Sequence, residues 1–182
     1  TVLKRDLMTE LSAVLSFSAI QNNDKIGVIF FTDKIEKFIP PKKGRIHILR
    51  IITELLTFEP SGQGTDITKA LEFFTSAIKK RCTAFLISDF IGNGYERAMM
   101  IANNKHDLVA LRITDPAENE LPDIGLIRLL DAESGKEFWV DTAREKNRQI
   151  YKSWRMQLEQ YFNKSVTRSG VDAVEIPTNM DY

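Results

Sequence analysis

The chain has 182 residues, enough for one domain with a real core, and its 25 Lys and Arg balance its 25 Asp and Glu. That balance excludes a global field for nucleic acid or an anionic membrane, and the apolar runs fall far short of the roughly 20 residues a membrane helix needs. Cys82 is the only cysteine, which excludes an internal disulfide and favours a reducing, cytoplasmic setting.

The elements follow in order. A first helix over about residues 4 to 21 places Leu3, Leu7, Leu11, Val14 and Leu15 on one face. Asn22-Asn23-Asp24 ends it, and Ile26 to Phe31 then runs apolar without alternation, as a strand covered on both faces does. Thr32-Asp33-Lys34 turns into Ile35 to Ile39, which alternates like a half-exposed edge strand and stops at Pro40-Pro41. A second helix presents Ile48, Leu49, Ile52, Leu55 and Leu56 on one face and ends before Pro60. A third opens at Gly62-Gln63-Gly64-Thr65-Asp66 and turns Ile67, Ala70, Leu71, Phe74 and Ile78 inward. Ala84 to Ile87 is another buried strand, ending in Ser88-Asp89.

The same rhythm continues. A short helix covers about 94 to 104, and Leu108 to Leu111 is a strand. Ile124 to Leu130 and Phe138 to Val140 form a hairpin across Asp131 to Gly135. A long helix from about 143 to 168 buries Tyr151, Trp154, Leu158, Tyr161 and Phe162, Gly170 closes it, and Val171 to Ile176 is the last strand. Residues 1–182 read as one domain of α/β class, a Rossmann-like, mostly parallel sheet with helices on both faces and one antiparallel edge strand. Such a sheet should have a strand before its first helix. The expectation is that the first central strand is absent from this chain.

Connectivity brings three residues together. If the strand at 26–31 points up, its hairpin partner points down, the second helix climbs, and the loop at 61–65 lies at the top. The third helix descends and the strand at 84–88 climbs again, so Asp89 is at the top too. Thr65, Asp66 and Asp89 therefore share the end where open α/β sheets bind ligands. A hydroxyl and a carboxylate at such a crest suit a hard cation, Mg²⁺ or Mn²⁺, with waters in the other positions. Each residue also has a structural role open to it. Thr65 or Asp66 is placed to cap the third helix, and Asp89 to cap the turn that follows its strand.

The ordered set of short motifs resembles the von Willebrand factor A-like region of the DUF58 family. It runs through Asp24-Lys25-Ile26-Gly27-Val28 with Phe31-Thr32-Asp33, Phe38-Ile39-Pro40-Pro41 with Gly44-Arg45, Gly64-Thr65-Asp66, Ile87-Ser88-Asp89-Phe90 and His106 to Ala110. It goes on through Asp115-Pro116, Glu120-Leu121-Pro122, Gly125, Gly135 and Val140-Asp141-Thr142. The resemblance implies a metal-ion-dependent adhesion site (MIDAS), in which Thr65 and Asp89 are ligands of Mg²⁺ or Mn²⁺ and Asp66 stands behind them. The D-x-S-x-S loop that supplies an Asp and two Ser in such sites does not occur here. Either the chain is a fragment whose parent carries that loop just upstream, or the site is degenerate.

The function implied is a protein-protein interaction module. A partner's Asp or Glu carboxylate would complete the metal, and a MoxR-type AAA+ ATPase is the associated partner. No nucleic acid partner and no membrane insertion are expected. The alternative is a metal-assisted hydrolase using Asp89 and Asp66. No phosphate-binding or nucleophile-elbow motif supports it, and neither His47 nor His106 is placed as a base beside Asp89.

Overall fold

A computed structural model describes residues 4–62, 64–130 and 137–179 of the chain. The elements are α1 (Lys4–Gln21), β1 (Ile26–Phe31), β2 (Ile35–Lys42), α2 (Arg45–Thr57), α3 (Ile67–Ala77), β3 (Thr83–Ser88), α4 (Glu96–Lys105) and β4 (Asp107–Thr114). A 3₁₀ turn (Pro116–Glu118), β5 (Leu126–Leu130), β6 (Glu137–Asp141), α5 (Glu145–Ser169) and β7 (Asp172–Pro177) complete the order. Leu3, Gln63 and the hairpin turn at 131–136 lie outside the described residues.

β3, β4 and β7 form a parallel sheet with β4 in the middle, in register from Thr83↔Asp107 and from Val109↔Asp172. Side chains alternate across a strand, so β4 feeds two cores. Leu108 and Ala110 join Ile67, Leu71, Leu86, Phe90, Tyr95, Met99 and Phe162 on the side of α3, α4 and α5. Leu111 and Ile113 join Leu7 of α1 and Ile176 of β7 on the other side. The strand enclosed on both faces is β4, whose run from Leu108 to Ile113 is apolar but for Arg112.

β1 and β2 are a separate antiparallel pair, and among the described residues no ladder joins β1 to β3. The two pieces are held together by helices. α3 packs on β1 and β2, and its Ile67 and Leu71 share a cluster with Leu86 of β3. α1 packs on β4 and on α2, which in turn touches β1. The break falls where a central strand was expected to be absent.

That break explains two corrections to the sequence reading. Every residue of β1 is half-buried rather than enclosed, and Phe85 of β3 is 45% exposed, because among the described residues no strand pairs with the edge beside each. A third correction concerns the prolines: β2 runs through Pro40-Pro41 to Lys42 instead of stopping before them. β2 is an edge strand whose outer side needs no amide donor, so proline is tolerated there, and the ladder shifts register between Ile26 and Val28.

Helix faces need adjustment as well. Val14 is exposed because α1 buries the line through Leu7, with Leu11 and Leu15 half-buried against the same cluster. In α2 the inner residues are Ile48 and Ile51, while Leu49 and Leu56 face outward. In α5 Trp154 is 42% exposed, its ring leaning on Tyr151 at 5.6 Å, and the buried line is Phe162, Ser165 and Ser169. Trp139, on the β5–β6 hairpin, is exposed too. Each helix carries more apolar residues than its contact face can cover, so a spacing rule overcounts the core. Gly170 ends α5 in the left-handed conformation at φ 64°, as expected of a glycine after the last turn.

Candidate functional site

The loop that carries Thr65 is fixed to the C-terminal end of β1, where the Asp66 N–H donates to the Thr32 carbonyl at 2.8 Å. Phe31 at the end of β1, Ile67 at the start of α3 and Phe90 just beyond β3 pack in one cluster. The Thr65 loop thus adjoins the C-terminal end of β1, and Asp89 directly follows that of β3. Gly64 adopts φ 82°, a conformation costly for any other residue, and so lets the chain turn into Thr65.

Thr65 is exposed, and among the described hydrogen bonds its hydroxyl has no partner. Asp66 is the N-cap of α3: its Oδ1 accepts from the Lys69 N–H at 2.9 Å, and its Oδ2 lies 3.1 Å from the Lys69 ammonium. Those contacts, the Lys69 amide first, hold its carboxyl below the ordinary 3.8. Of the two residues placed to cap, Asp66 does so.

Asp89 closes a tight turn at the end of β3. Its Oδ1 accepts from the Ile91 N–H at 3.3 Å, and the Ser88 hydroxyl accepts from the Phe90 N–H at 3.1 Å. Phe90 itself sits at φ 55°, in the left-handed region that costs a bulky residue roughly 1–2 kcal/mol. Its ring is buried against Phe162 at 4.9 Å and Tyr95 at 5.8 Å, and that packing holds the strained backbone in place. Such a conformation persists only where the surrounding structure over-determines it.

The sequence reading missed Lys4, Glu118, Arg155 and Glu36. The Lys4 ammonium lies 3.8 Å from Asp89 Oδ2 and 2.5 Å from Glu118 Oε2, and Arg155 reaches the same Glu118 oxygen at 3.7 Å. This ties α1, the end of β3, the 3₁₀ turn and α5 into one charged cluster. Nothing in the spacing of these four residues could have shown it. Glu36 accepts four hydrogen bonds from the Thr32 turn and the loop at 61–62. Its only sequence signal is an acid on the open face of an edge strand.

The donors present are oxygen atoms, which suit a hard cation, yet they are few. Thr65 and Asp89 supply two, and among the described residues no three of His, Cys, Asp and Glu gather to hold a metal. The histidines lie elsewhere. His47 Nε2 is 2.9 Å from the Ile26 carbonyl, and His106 is buried against Phe74, its Nδ1 3.5 Å from Cys82 Sγ. Burial pushes the Cys82 thiol up and, with Lys105 and Arg81 near, the His106 imidazole down.

The family model for the protein of unknown function DUF58 matches residues 1–160. The chain belongs to the DUF58 family. Two uncharacterized proteins, Mb1516 of Mycobacterium bovis and Rv1480 of Mycobacterium tuberculosis, are each 30% identical to it over 145 residues, 77% of this chain. The alignment takes in 46% of each of them, so this DUF58 chain spans about half the length of the curated relatives it matches. Its fold resembles that of the conserved hypothetical protein BatB from Bacteroides thetaiotaomicron, with a TM-score of 0.59 and 16% identity over 95% of this chain and 80% of that one. An aerotolerance-related membrane protein from Bacteroides fragilis gives 0.58 and 15%, over 93% of this chain and 81% of the other. No helix among the described residues of the DUF58 chain is long and apolar enough to cross a membrane.

Proposed function

We propose that this DUF58 chain is a von Willebrand factor A-like interaction module that holds a protein partner through a divalent cation, Mg²⁺ or Mn²⁺. The observation that supports the reading is the tie of the Thr65 loop to the C-terminal end of β1, Asp66 N–H to the Thr32 carbonyl, with Asp89 directly after β3. The Thr65 hydroxyl and the Asp89 carboxylate would hold the ion, with Asp66 behind them as the cap of α3. Two protein oxygens leave most of a hard cation's coordination open. Waters, a D-x-S-x-S segment outside these residues and a partner's Asp or Glu carboxylate complete the set in this reading. The ion supplies a positive centre that a carboxylate meets in a defined direction, which makes the contact cation-dependent.

The partner proposed is a client of a MoxR-type AAA+ ATPase, or that ATPase itself, with this module serving assembly or maturation of protein complexes. The reading places the module in the cytoplasm, with any membrane anchor outside these residues, in keeping with the aerotolerance-related membrane protein of Bacteroides fragilis that shares its fold. The test is thermal unfolding with and without Mn²⁺, on the full-length protein and its Asp89→Ala variant. Ligand at about 100 times its dissociation constant stabilises by roughly 2.7 kcal/mol, and the wild type should show that shift while the variant shows none. An equal shift in both, or none in the wild type, refutes the site.

A further inference from the structure

Thr65 is exposed, and among the described hydrogen bonds it is the backbone on either side of it that is tied down, not its side chain. The loop before it is tied to one acid. Glu36, the second residue of β2, accepts from the Gly62 N–H at 2.6 Å, the Ser61 hydroxyl at 2.7 Å, the Ser61 N–H at 3.2 Å and the Thr32 hydroxyl at 2.8 Å. The Thr32 hydroxyl also lies 3.1 Å from Asp33 Oδ1. After Thr65, the chain is tied to the same turn again, by Asp66 N–H to the Thr32 carbonyl at 2.8 Å and by the Lys69 ammonium to the Asp33 carbonyl at 3.0 Å.

Gly62 shows how close the approach is. A Cβ there would fall under 3.0 Å from Asp33 Oδ1, Thr32 Oγ1 and Glu36 Oε1, so a larger residue would push aside the side chains that hold the loop. Hydrogen bonds to an ionised carboxylate are shorter and stronger than those between neutral groups, and four of them converge here. We propose that Glu36 is a positioning residue that clamps the 61–62 loop to the β1–β2 turn and thereby sets the Thr65 hydroxyl for its ligand. The proposal rests on the reading of Thr65 as a metal ligand. It assigns Glu36 no contact with the ion.

The test has two readouts. In amide hydrogen exchange by NMR on this chain, Glu36→Gln and Gly62→Ala should speed exchange at Gly62 at least tenfold. Thr65 and Asp66 signals should move or broaden, while the β1–β2 ladder and α3 keep wild-type protection. Glu36→Gln retains an acceptor and keeps the measurement informative where Gly62→Ala fails to fold. In the full-length protein, Mn²⁺ titrated by electron paramagnetic resonance should bind Glu36→Gln at least tenfold more weakly than wild type, with Glu36→Asp recovering part of the loss. Unchanged Thr65 and Asp66 signals in folded Glu36→Gln overturn the clamp. Unchanged Mn²⁺ affinity in a variant whose loop has loosened overturns the positioning role. A wild type that binds no Mn²⁺ removes the metal reading and the role for Thr65 with it, and the clamp is then judged on exchange alone.

Discussion

The Glu36 carboxylate gathers four donors while solvent still reaches it, so its charge is held by hydrogen bonds rather than by burial. The Ser61 hydroxyl contributes most, and Thr32, Gly62 and nearby Lys34 add to it, holding the carboxyl down to about 2 from an ordinary 4.5. A folded-state value below the unfolded one adds stability above pH 4.5, and that stability is lost as pH falls from 4.5 toward 2. Urea unfolding between pH 5 and pH 2 should therefore show a steeper loss in wild type than in Glu36→Gln, which has no proton to take up. Parallel slopes would show that the bonds do not survive in solution. Glu36 was invisible as a site residue in the sequence because its donors at 61 and 62 lie more than twenty positions away. Asp66 was legible because a cap needs only the three residues after it.

Among the elements, α3 joins the crest to the core, since the residue that caps it follows Thr65 directly. Asp66→Ala removes the acceptor of the Lys69 N–H and should cost about 1 kcal/mol in chemical denaturation, whereas Asp66→Asn should keep most of it. An Asp66→Ala variant as stable as Asp66→Asn would mean that the cap contributes nothing. The turn after β3 is held differently. Phe90 carries the strain and its own ring, packed on Phe162 and Tyr95, offsets it, so the place of Asp89 depends on α4 and α5. The strand at 84–88 was plain in the sequence. The left-handed Phe90 was not, because a buried aromatic after Ser-Asp gives no local reason for positive φ.

Across the whole molecule, the strands form two pieces that helices bridge, and the facing edges of β1 and β3 pair with no strand among the described residues. Unpaired backbone donors and acceptors beside half-exposed apolar side chains recruit other strands. The 182-residue chain should accordingly associate as concentration rises, and light scattering after gel filtration should show species above 20.8 kDa. A monomer with one cooperative thermal transition at all concentrations would mean that α1, α2 and α3 cover the gap well enough.

The sequence by itself determined the order and type of the elements, the acid that caps α3, the glycine that ends α5 and the family, because these depend on local spacing, turn chemistry and connectivity. The tertiary structure alone decided which apolar residues are buried. Leu49, Leu56, Phe85 and Trp154 fit a buried face by spacing and stand exposed, since burial requires a neighbour and a pattern cannot say whether one is there. It also decided what each crest acid touches. Lys4 came to Asp89 from α1, and Glu36 to the Thr65 loop from an edge strand, through contacts between segments far apart in the chain that no local pattern encodes.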